Sequence, residues 1–175
     1  MNNTAEDTDL RGAQWRRWIE KRGRQLLLFA RQVTRSPEDA EDVVQEAILR
    51  LWNAPSSGLE PTMPQMIRAI RWSAMDLGRR ESRRQGRESR YRESVERLEG
   101  SYFETDFASR DRGQRVQEAL AGLGQEQREV IVLRIWGGLS YVEIAAALDL
   151  SANTVASRYR YGLGNLRKRL GTVLS

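Results

Sequence analysis

The chain has 175 residues, enough for one medium domain or two small ones, and its net charge of +5 gives an isoelectric point near 10.0. It contains no cysteine and no histidine, which excludes a disulfide framework and thiolate metal sites and removes the commonest general base. The positive charge fits an anionic partner such as nucleic acid, although it would also serve solubility alone.

No apolar run approaches the length of a membrane span, and residues 1–11 are polar and acidic, unlike a signal peptide. We therefore expect a cytoplasmic protein with no membrane insertion. The composition also disfavours an enzyme, so we expect no catalytic residues, no bound metal and no cofactor.

Apolar residues recur at helical spacing through most of the chain, whereas strand signals are nearly absent. This pattern predicts an all-α fold. A first long helix contains Trp15 and Val33, with Gly23 as a weak point. Ser36 then predicts the start of a second helix as its cap, because Pro37 and two acidic residues follow it.

The second helix is apolar on one side and acidic on the other. Five acidic residues and one basic residue lie between Ser36 and Trp52. Paired carboxylates suit acid–base catalysis or a hard metal ion, but these lie on the solvated side with no second cluster facing them. A protein-binding face around an exposed leucine is the better interpretation. The residues assigned to it are Asp39, Asp42, Gln45, Glu46 and Leu49.

A loop rich in proline and glycine follows over 55–64, and a third helix begins near Met63. One side of this helix is apolar, while the other is basic with one aromatic residue, a combination that suits phosphates and a stacked base. Residues 68–84 contain six arginines and two acidic residues. For Trp72 alone, packing against a neighbouring helix or the arginine-rich segment remains an alternative. The basic side comprises Arg68, Arg71, Trp72, Met75 and Arg79.

Residues 85–113 have weak patterning and an excess of acidic residues, which predicts a flexible linker. One hypothesis is that its acidic part, 93–111, shields the basic segments of the free chain. Helical periodicity returns at Gln114. The chain is thus expected to form two small helical domains, an N-terminal helical bundle over 10–84 and a C-terminal helix-turn-helix domain over 114–172.

The helix-turn-helix is predicted by two short helices that each begin at a serine. Ser140 and Glu143 form a capping box, and Ser151 caps the second helix after a break at 149–150. Glycines 162 and 164 suggest that this helix ends or bends early. The inward residues are expected to be Val142, Ile144, Ala145, Leu148, Val155, Tyr159, Leu163 and Leu166.

The second of these helices can lie in the DNA major groove with its N-terminal residues at base edges. An ordinary helical hairpin is the alternative. DNA binding is favoured because the outward side chains form hydrogen bonds or are cationic. The outward residues are Asn153, Thr154, Ala156, Ser157, Arg158 and Arg160.

Two segments together resemble a known family. DAEDVVQEAILRLW (39–52) resembles the polymerase-binding segment of extracytoplasmic-function sigma factors of bacterial RNA polymerase. LGQEQREVIVLR (123–134), followed by GLSYVEIA (138–145) and NTVASR (153–158), resembles their C-terminal domain. The resemblance covers both predicted domains in the family's order.

The resemblance implies a division of labour between three segments. Asp39, Asp42, Gln45, Glu46, Leu49 and Arg50 would contact core RNA polymerase. Arg68, Arg71, Trp72, Met75, Arg79, Arg80 and Arg83, with the loop after Trp52, would recognise and help to melt the minus-ten element. Asn153, Thr154, Ala156, Ser157, Arg158 and Arg160 would recognise the minus-thirty-five element as duplex.

The expected partners are therefore core polymerase and promoter DNA, both duplex and melted, and the resemblance adds an anti-sigma protein. Melting about ten base pairs costs on the order of 14 kcal/mol, whereas capturing one unstacked base returns about 1–3 kcal/mol, so a large partner is required. We expect the free chain to be a monomer. The main alternative is a stand-alone helix-turn-helix regulator, which would usually dimerise. The third alternative is a regulator that mimics a sigma factor and binds only its inhibitor, without touching DNA. The last alternative is an enzyme.

Overall fold

A computed structural model describes residues 3–54, 60–85 and 115–173, with side chains described over 10–54, 60–80 and 115–171. Within these ranges the chain forms helices α1 (Asn3–Val33), α2 (Pro37–Trp52) and α3 (Met63–Gln85), then a short helical segment α4 (115–121). Helices α5 (Gln125–Ile135), α6 (Tyr141–Leu148) and α7 (Ala152–Val173) follow. The all-α prediction is confirmed. The predicted linker lies outside the described residues, except for Gln85.

Helices α1, α2 and α3 form the N-terminal bundle. Helix α1 continues through Gly23 without interruption. Helix α2 begins as predicted, since the backbone N–H of Asp39 donates to the side chain of Ser36 at 3.0 Å and proline occupies the first turn. The apolar side of α3 is buried, with Met66, Ile67 and Ile70 at 0% exposure.

The start of α3 is fixed by a second cap that the sequence analysis did not identify. The backbone N–H of Thr62 donates to the Gln65 side-chain oxygen at 2.8 Å, and the N–H of Gln65 donates to the Thr62 hydroxyl at 3.4 Å. Thr-x-x-Gln is a capping box that satisfies two backbone donors reciprocally. Gln65 therefore has a structural role at the end of the loop.

The C-terminal helices form the predicted helix-turn-helix from α6 and α7. Asp149, with φ 57° and ψ 52°, ends α6 in the left-handed conformation that allows the sharp turn. Ser151 caps α7, because the N–H of Thr154 donates to its hydroxyl at 3.0 Å. Two details of the prediction are wrong. Val142 is 71% exposed, so it does not face inward, and α7 continues through Gly162 and Gly164 to Val173.

The N-terminal and C-terminal helices pack directly against each other. Helix α1 lies on α5, and α3 lies on α6. One cluster of buried side chains runs from Trp15 and Phe29 of α1 to Leu133, Ile144 and Val155 of the C-terminal half. A smaller cluster beneath α4 stays within that half. The two halves thus share a continuous core, which the prediction of two domains on a linker did not anticipate.

Close packing of α7 on α5 accounts for the glycine at position 162, but not for the one at position 164. A methyl group at Gly162 would lie 2.8 Å from the Ile131 Cδ1 atom and 3.0 Å from the Gln127 Cβ atom, whereas one at Gly164 would meet nothing within 4 Å. Ile131 is fully buried, so its side chain has little free space into which it could shift. We expect Gly162→Ala to destabilise the chain by about 1–3 kcal/mol through overpacking.

Gly164→Ala is the matched control. We expect it to stabilise the chain by about 0.5–1 kcal/mol, because alanine is the better residue in an open helix interior. Urea unfolding followed by circular dichroism measures both effects. Equal changes in the unfolding free energy of the two variants would contradict the packing role of Gly162.

Candidate nucleic-acid and protein interfaces

The acidic face of α2, defined as Asp39, Asp42, Gln45, Glu46, Leu49 and Arg50, lies on the outer side of the bundle. Ala40, Val43 and Ala47 on the opposite side are buried. Leu49 on this face is 59% exposed, as the sequence analysis predicted. This surface combines an uncovered apolar side chain with surrounding carboxylates and is open to a protein partner.

Arg50 joins the acidic face to the next helix. Its guanidinium lies 3.7 Å from the Glu46 carboxylate, one turn back in α2, and 3.3 Å from the centre of the Trp72 ring in α3. A cation over an indole face is an attractive arrangement. Trp72 nevertheless remains 42% exposed. Trp72 therefore packs against a neighbouring helix, as one interpretation predicted, and it keeps an exposed aromatic surface, which base stacking requires.

The arginine stripe of α3 is defined as Arg68, Arg71, Trp72, Met75, Arg79, Arg80 and Arg83, and its described side chains lie opposite the buried side of the helix. Trp72, Met75 and Arg79 are exposed. Arg80 is paired with Asp76 at 2.6 Å in the same helix. Arg83 lies in the helical backbone of α3, but its side chain is outside the described part of the chain.

Arg68 and Arg71 are placed differently from the rest of the stripe, because both contact α6. The Arg68 guanidinium donates to the carbonyl of Ala146, and that of Arg71 donates to the carbonyl of Leu148 at 3.2 Å. The last carbonyls of a helix have no partner within it and form its negative end. Two arginines that were predicted to bind DNA thus donate hydrogen bonds to the last carbonyls of α6, the first helix of the helix-turn-helix.

Arg71 also pairs with a buried carboxylate, Glu129 of α5. Its Nε atom lies 3.4 Å from Glu129, whose side chain is 5% exposed, whereas that of Arg71 is 34% exposed. Gln125, one turn earlier in α5, donates to the same carboxylate at 2.9 Å. Burial raises the pKa of Glu129, and the charges of Arg71, Arg158 and Arg128 and the Gln125 hydrogen bond oppose that rise.

The capping box of α6 forms as predicted. The backbone N–H of Ser140 donates to the Glu143 carboxylate at 2.8 Å, and the N–H of Glu143 donates to the Ser140 hydroxyl at 3.2 Å. The backbone hydrogen bond, with that of the hydroxyl, lowers the pKa of Glu143 below its ordinary value. The carboxylate therefore stays charged at neutral pH and holds the start of α6.

The predicted recognition residues lie in the first two turns and a half of α7. Asn153 and Arg160 are exposed, whereas Thr154, Ala156 and Ser157 are half-buried. Arg158 is only 25% exposed and pairs at 2.8 Å with Glu126 of α5, which is itself 71% exposed. The other five side chains face solvent at least in part, whereas Arg158 is held by a carboxylate.

Two family models match the chain. Sigma-70 region 2 matches residues 18–58, and Sigma-70 region 4 matches residues 113–166. The ECF RNA polymerase sigma factor SigK of Mycolicibacterium vanbaalenii is 31% identical over 147 residues, which cover 80% of this chain and 73% of that protein. The SigK of Mycobacterium tuberculosis strain H37Ra is 31% identical over 143 residues, covering 79% and 76%.

The chain belongs to the ECF sigma factors. It binds core RNA polymerase and promoter DNA, and it directs transcription initiation.

Two solved structures resemble this sigma factor over most of its length. RpoE of Bartonella quintana, in complex with the anti-sigma factor NepR, has a TM-score of 0.63 and 26% identity and covers 83% of this chain and 89% of its own. CnrH in complex with the cytosolic domain of CnrY has a TM-score of 0.62 and 26% identity, covering 90% and 88%. None of the helices of this sigma factor in the described ranges is long and apolar enough to cross a membrane.

Two carboxylates of the sigma factor were missed by the sequence analysis, Glu126 and Glu129. Each pairs with an arginine assigned to DNA. Their helix is buried on several sides, with Val130 to Leu133 all at or below 2% exposure. A glutamate beside four consecutive buried apolar residues is an available sequence signal, because carboxylates are almost never buried unless they are paired.

Proposed function

We propose that this sigma factor uses three surfaces for its two tasks, which are binding core RNA polymerase and recognising promoter DNA. The acidic face of α2 binds core RNA polymerase, the arginine stripe of α3 recognises and helps to melt the minus-ten element, and residues 153–160 of α7 recognise the minus-thirty-five element as duplex. The observation that best supports this assignment is the Arg50–Trp72 stack, which joins the acidic face to the arginine stripe. A polymerase docked on α2 would lie beside the surface that meets the melted strand.

The charge of each surface matches the partner that we assign to it. The acidic face is repelled by DNA and attracted to a basic protein surface, with Leu49 available for apolar burial. The arginine stripe has the opposite charge and includes one exposed indole on which a base can stack. The first turns of α7 present polar side chains and Arg160. DNA-binding proteins place the N-terminal part of such a recognition helix in the major groove.

We extend the proposal to the boundaries of the two units and to the place where the chain acts. Residues 10–84 form the region 2 unit, 85–113 the linker and 114–172 the region 4 unit. The chain acts in the cytoplasm, because its partner polymerase works there, and it has no catalytic activity of its own, since the polymerase supplies the chemistry. Like RpoE, whose solved structure includes the anti-sigma factor NepR, it is the target of an anti-sigma protein.

Trp72→Ala tests the melting assignment. We expect it to weaken the binding of holoenzyme to a single-stranded minus-ten oligonucleotide by about 5- to 150-fold, because stacking one base on an aromatic ring contributes about 1–3 kcal/mol. Filter binding or fluorescence anisotropy with a labelled oligonucleotide measures the affinity.

Trp72→Phe is the matched variant, since it keeps a stacking surface and should restore most of the affinity. Affinity unchanged in Trp72→Ala would contradict a role for this side chain in base capture and would leave it as a packing residue against Arg50.

A further inference from the structure

Trp72 is the only aromatic residue in the sequence of α3. Its side chain is exposed, and so is that of Met75, one turn further along the same side of the helix. The two side chains form a small apolar surface among the arginines of the stripe. An unpaired base can stack on such a ring whatever its identity, because every base has a π-face.

The Arg50 guanidinium covers one face of the Trp72 ring. Its central carbon lies 3.3 Å from the ring centroid. An atom in the plane of the ring could not come so close to the centre without overlapping the ring atoms, so the guanidinium lies above a face. The surface of the indole that is left for a base is therefore the opposite face.

Glu46 orients the guanidinium that covers the ring. Its carboxylate lies 3.7 Å from Arg50, one turn earlier in α2. Both side chains are well exposed, so the ion pair contributes little to the stability of the fold. Its effect is geometric, because a guanidinium that is paired with a carboxylate and also lies on an indole has few other rotamers available.

The contact restricts the motion of a side chain that would otherwise move freely. An exposed side chain on a helix surface changes rotamer within picoseconds to nanoseconds. A base that binds a mobile ring must first order it, and the entropy lost in doing so reduces the affinity. A ring that is already held in the stacking orientation avoids this loss.

We propose that Arg50 is a positioning residue for base capture, which holds the Trp72 ring in the orientation that an unpaired base of the melted minus-ten strand stacks on. The proposal rests on the assignment of Trp72 to the melted strand. It gives Arg50 a task beyond the polymerase contact that the resemblance to the family implies. One side chain of the acidic face thereby supports the DNA-binding surface of the neighbouring helix.

Arg50→Met in the holoenzyme tests the proposal. Methionine is unbranched and favours a helix about as well as arginine does, but it has no charge. The ligand is a single-stranded minus-ten oligonucleotide with 2-aminopurine at one position in turn, whose fluorescence falls when the base stacks on an indole. Saturating core polymerase with the sigma variant keeps changes in polymerase affinity out of the measurement.

We expect Arg50→Met to weaken the affinity for the oligonucleotide by about two- to fivefold and to reduce the quenching of the probe, because the cation no longer holds the ring. Arg50→Lys should recover part of both, since an ammonium is attracted to an indole face but does not lie flat on it. Arg17→Met is the matched control. It replaces an exposed arginine of α1 outside the assigned surfaces and should change neither quantity.

The same substitution in a Trp72→Ala background shows whether Arg50 acts through the ring. We expect Arg50→Met to cause no further loss of affinity there. An equal loss in both backgrounds would overturn the proposal, because Arg50 would then act on DNA directly or through the fold.

Wild-type affinity and quenching in Arg50→Met, when Trp72→Ala itself loses affinity, would also overturn the positioning role and would leave Trp72 as the stacking residue. Unchanged affinity in Trp72→Ala would contradict the assignment of Trp72 to the melted strand, and the positioning role would fail with it. The two proposals therefore fail with different results.

Discussion

Asp42→Arg is expected to weaken the affinity of this sigma factor for core RNA polymerase by at least about 100-fold and to abolish transcription from its promoters. Asp42 is exposed on the acidic face, on the same side of α2 as Leu49 and two turns before it. A cation at this position would meet the basic surface that the face is proposed to bind, and contact between like charges across an interface costs several kcal/mol. Pull-down of labelled polymerase and run-off transcription measure the two effects.

The substitution should not act through folding. Surface changes away from special features alter stability by about 0.5 kcal/mol or less, and circular dichroism checks this directly. Glu41→Arg is the charge-matched control, because Glu41 is exposed on the same helix but lies about 100° around it from Asp42. We expect that control to bind polymerase nearly normally. Equal losses in the two variants would indicate a general effect of charge and would contradict the assignment of the acidic face.

The sequence predicted the helices and their faces where local rules act alone. The caps at Ser36, Ser140 and Ser151 and the exposure of Leu49 follow from periodicity and from backbone donors that need partners within a few residues. Val142 was misplaced because α6 has only eight residues, too few for the periodicity to define which side is buried. The length of α7 was underestimated because propensity penalises Gly162, while close packing on Ile131 requires it.

These local rules could not predict the contact between the N-terminal and C-terminal halves. Arg68 and Arg71 have the composition of a nucleic-acid surface, and their sequence does not distinguish a phosphate from a carbonyl at a helix end, since both are anionic or partly negative acceptors. Their partners lie 78 and 77 residues away along the chain, respectively. The signal that could have indicated an internal partner was Glu129, a carboxylate beside four buried apolar residues. Such a residue needs a cation, and the arginines of the stripe were one possible source, although the sequence analysis had already assigned them to DNA.

Arg158→Ala is expected to reduce the preference for an intact minus-thirty-five element by about 5- to 150-fold, because one good arginine contact to a base contributes about 1–3 kcal/mol of discrimination. Arg158 lies in the second turn of α7, within the part of a recognition helix that reaches base edges. The measurement is run-off transcription from two templates that differ only in a scrambled minus-thirty-five element, and polymerase affinity should not change.

Glu126→Gln sharpens the interpretation of this variant. Because Glu126 holds Arg158 at 2.8 Å in the free chain, removing its charge releases the guanidinium and should increase the discrimination that Arg158→Ala removes. Opposite shifts in the two variants are what a base contact that competes with an internal carboxylate requires. An equal loss on both templates in Arg158→Ala would indicate a phosphate contact instead, because phosphate contacts weaken binding uniformly across sequences, and the assignment of base recognition to Arg158 would then be wrong.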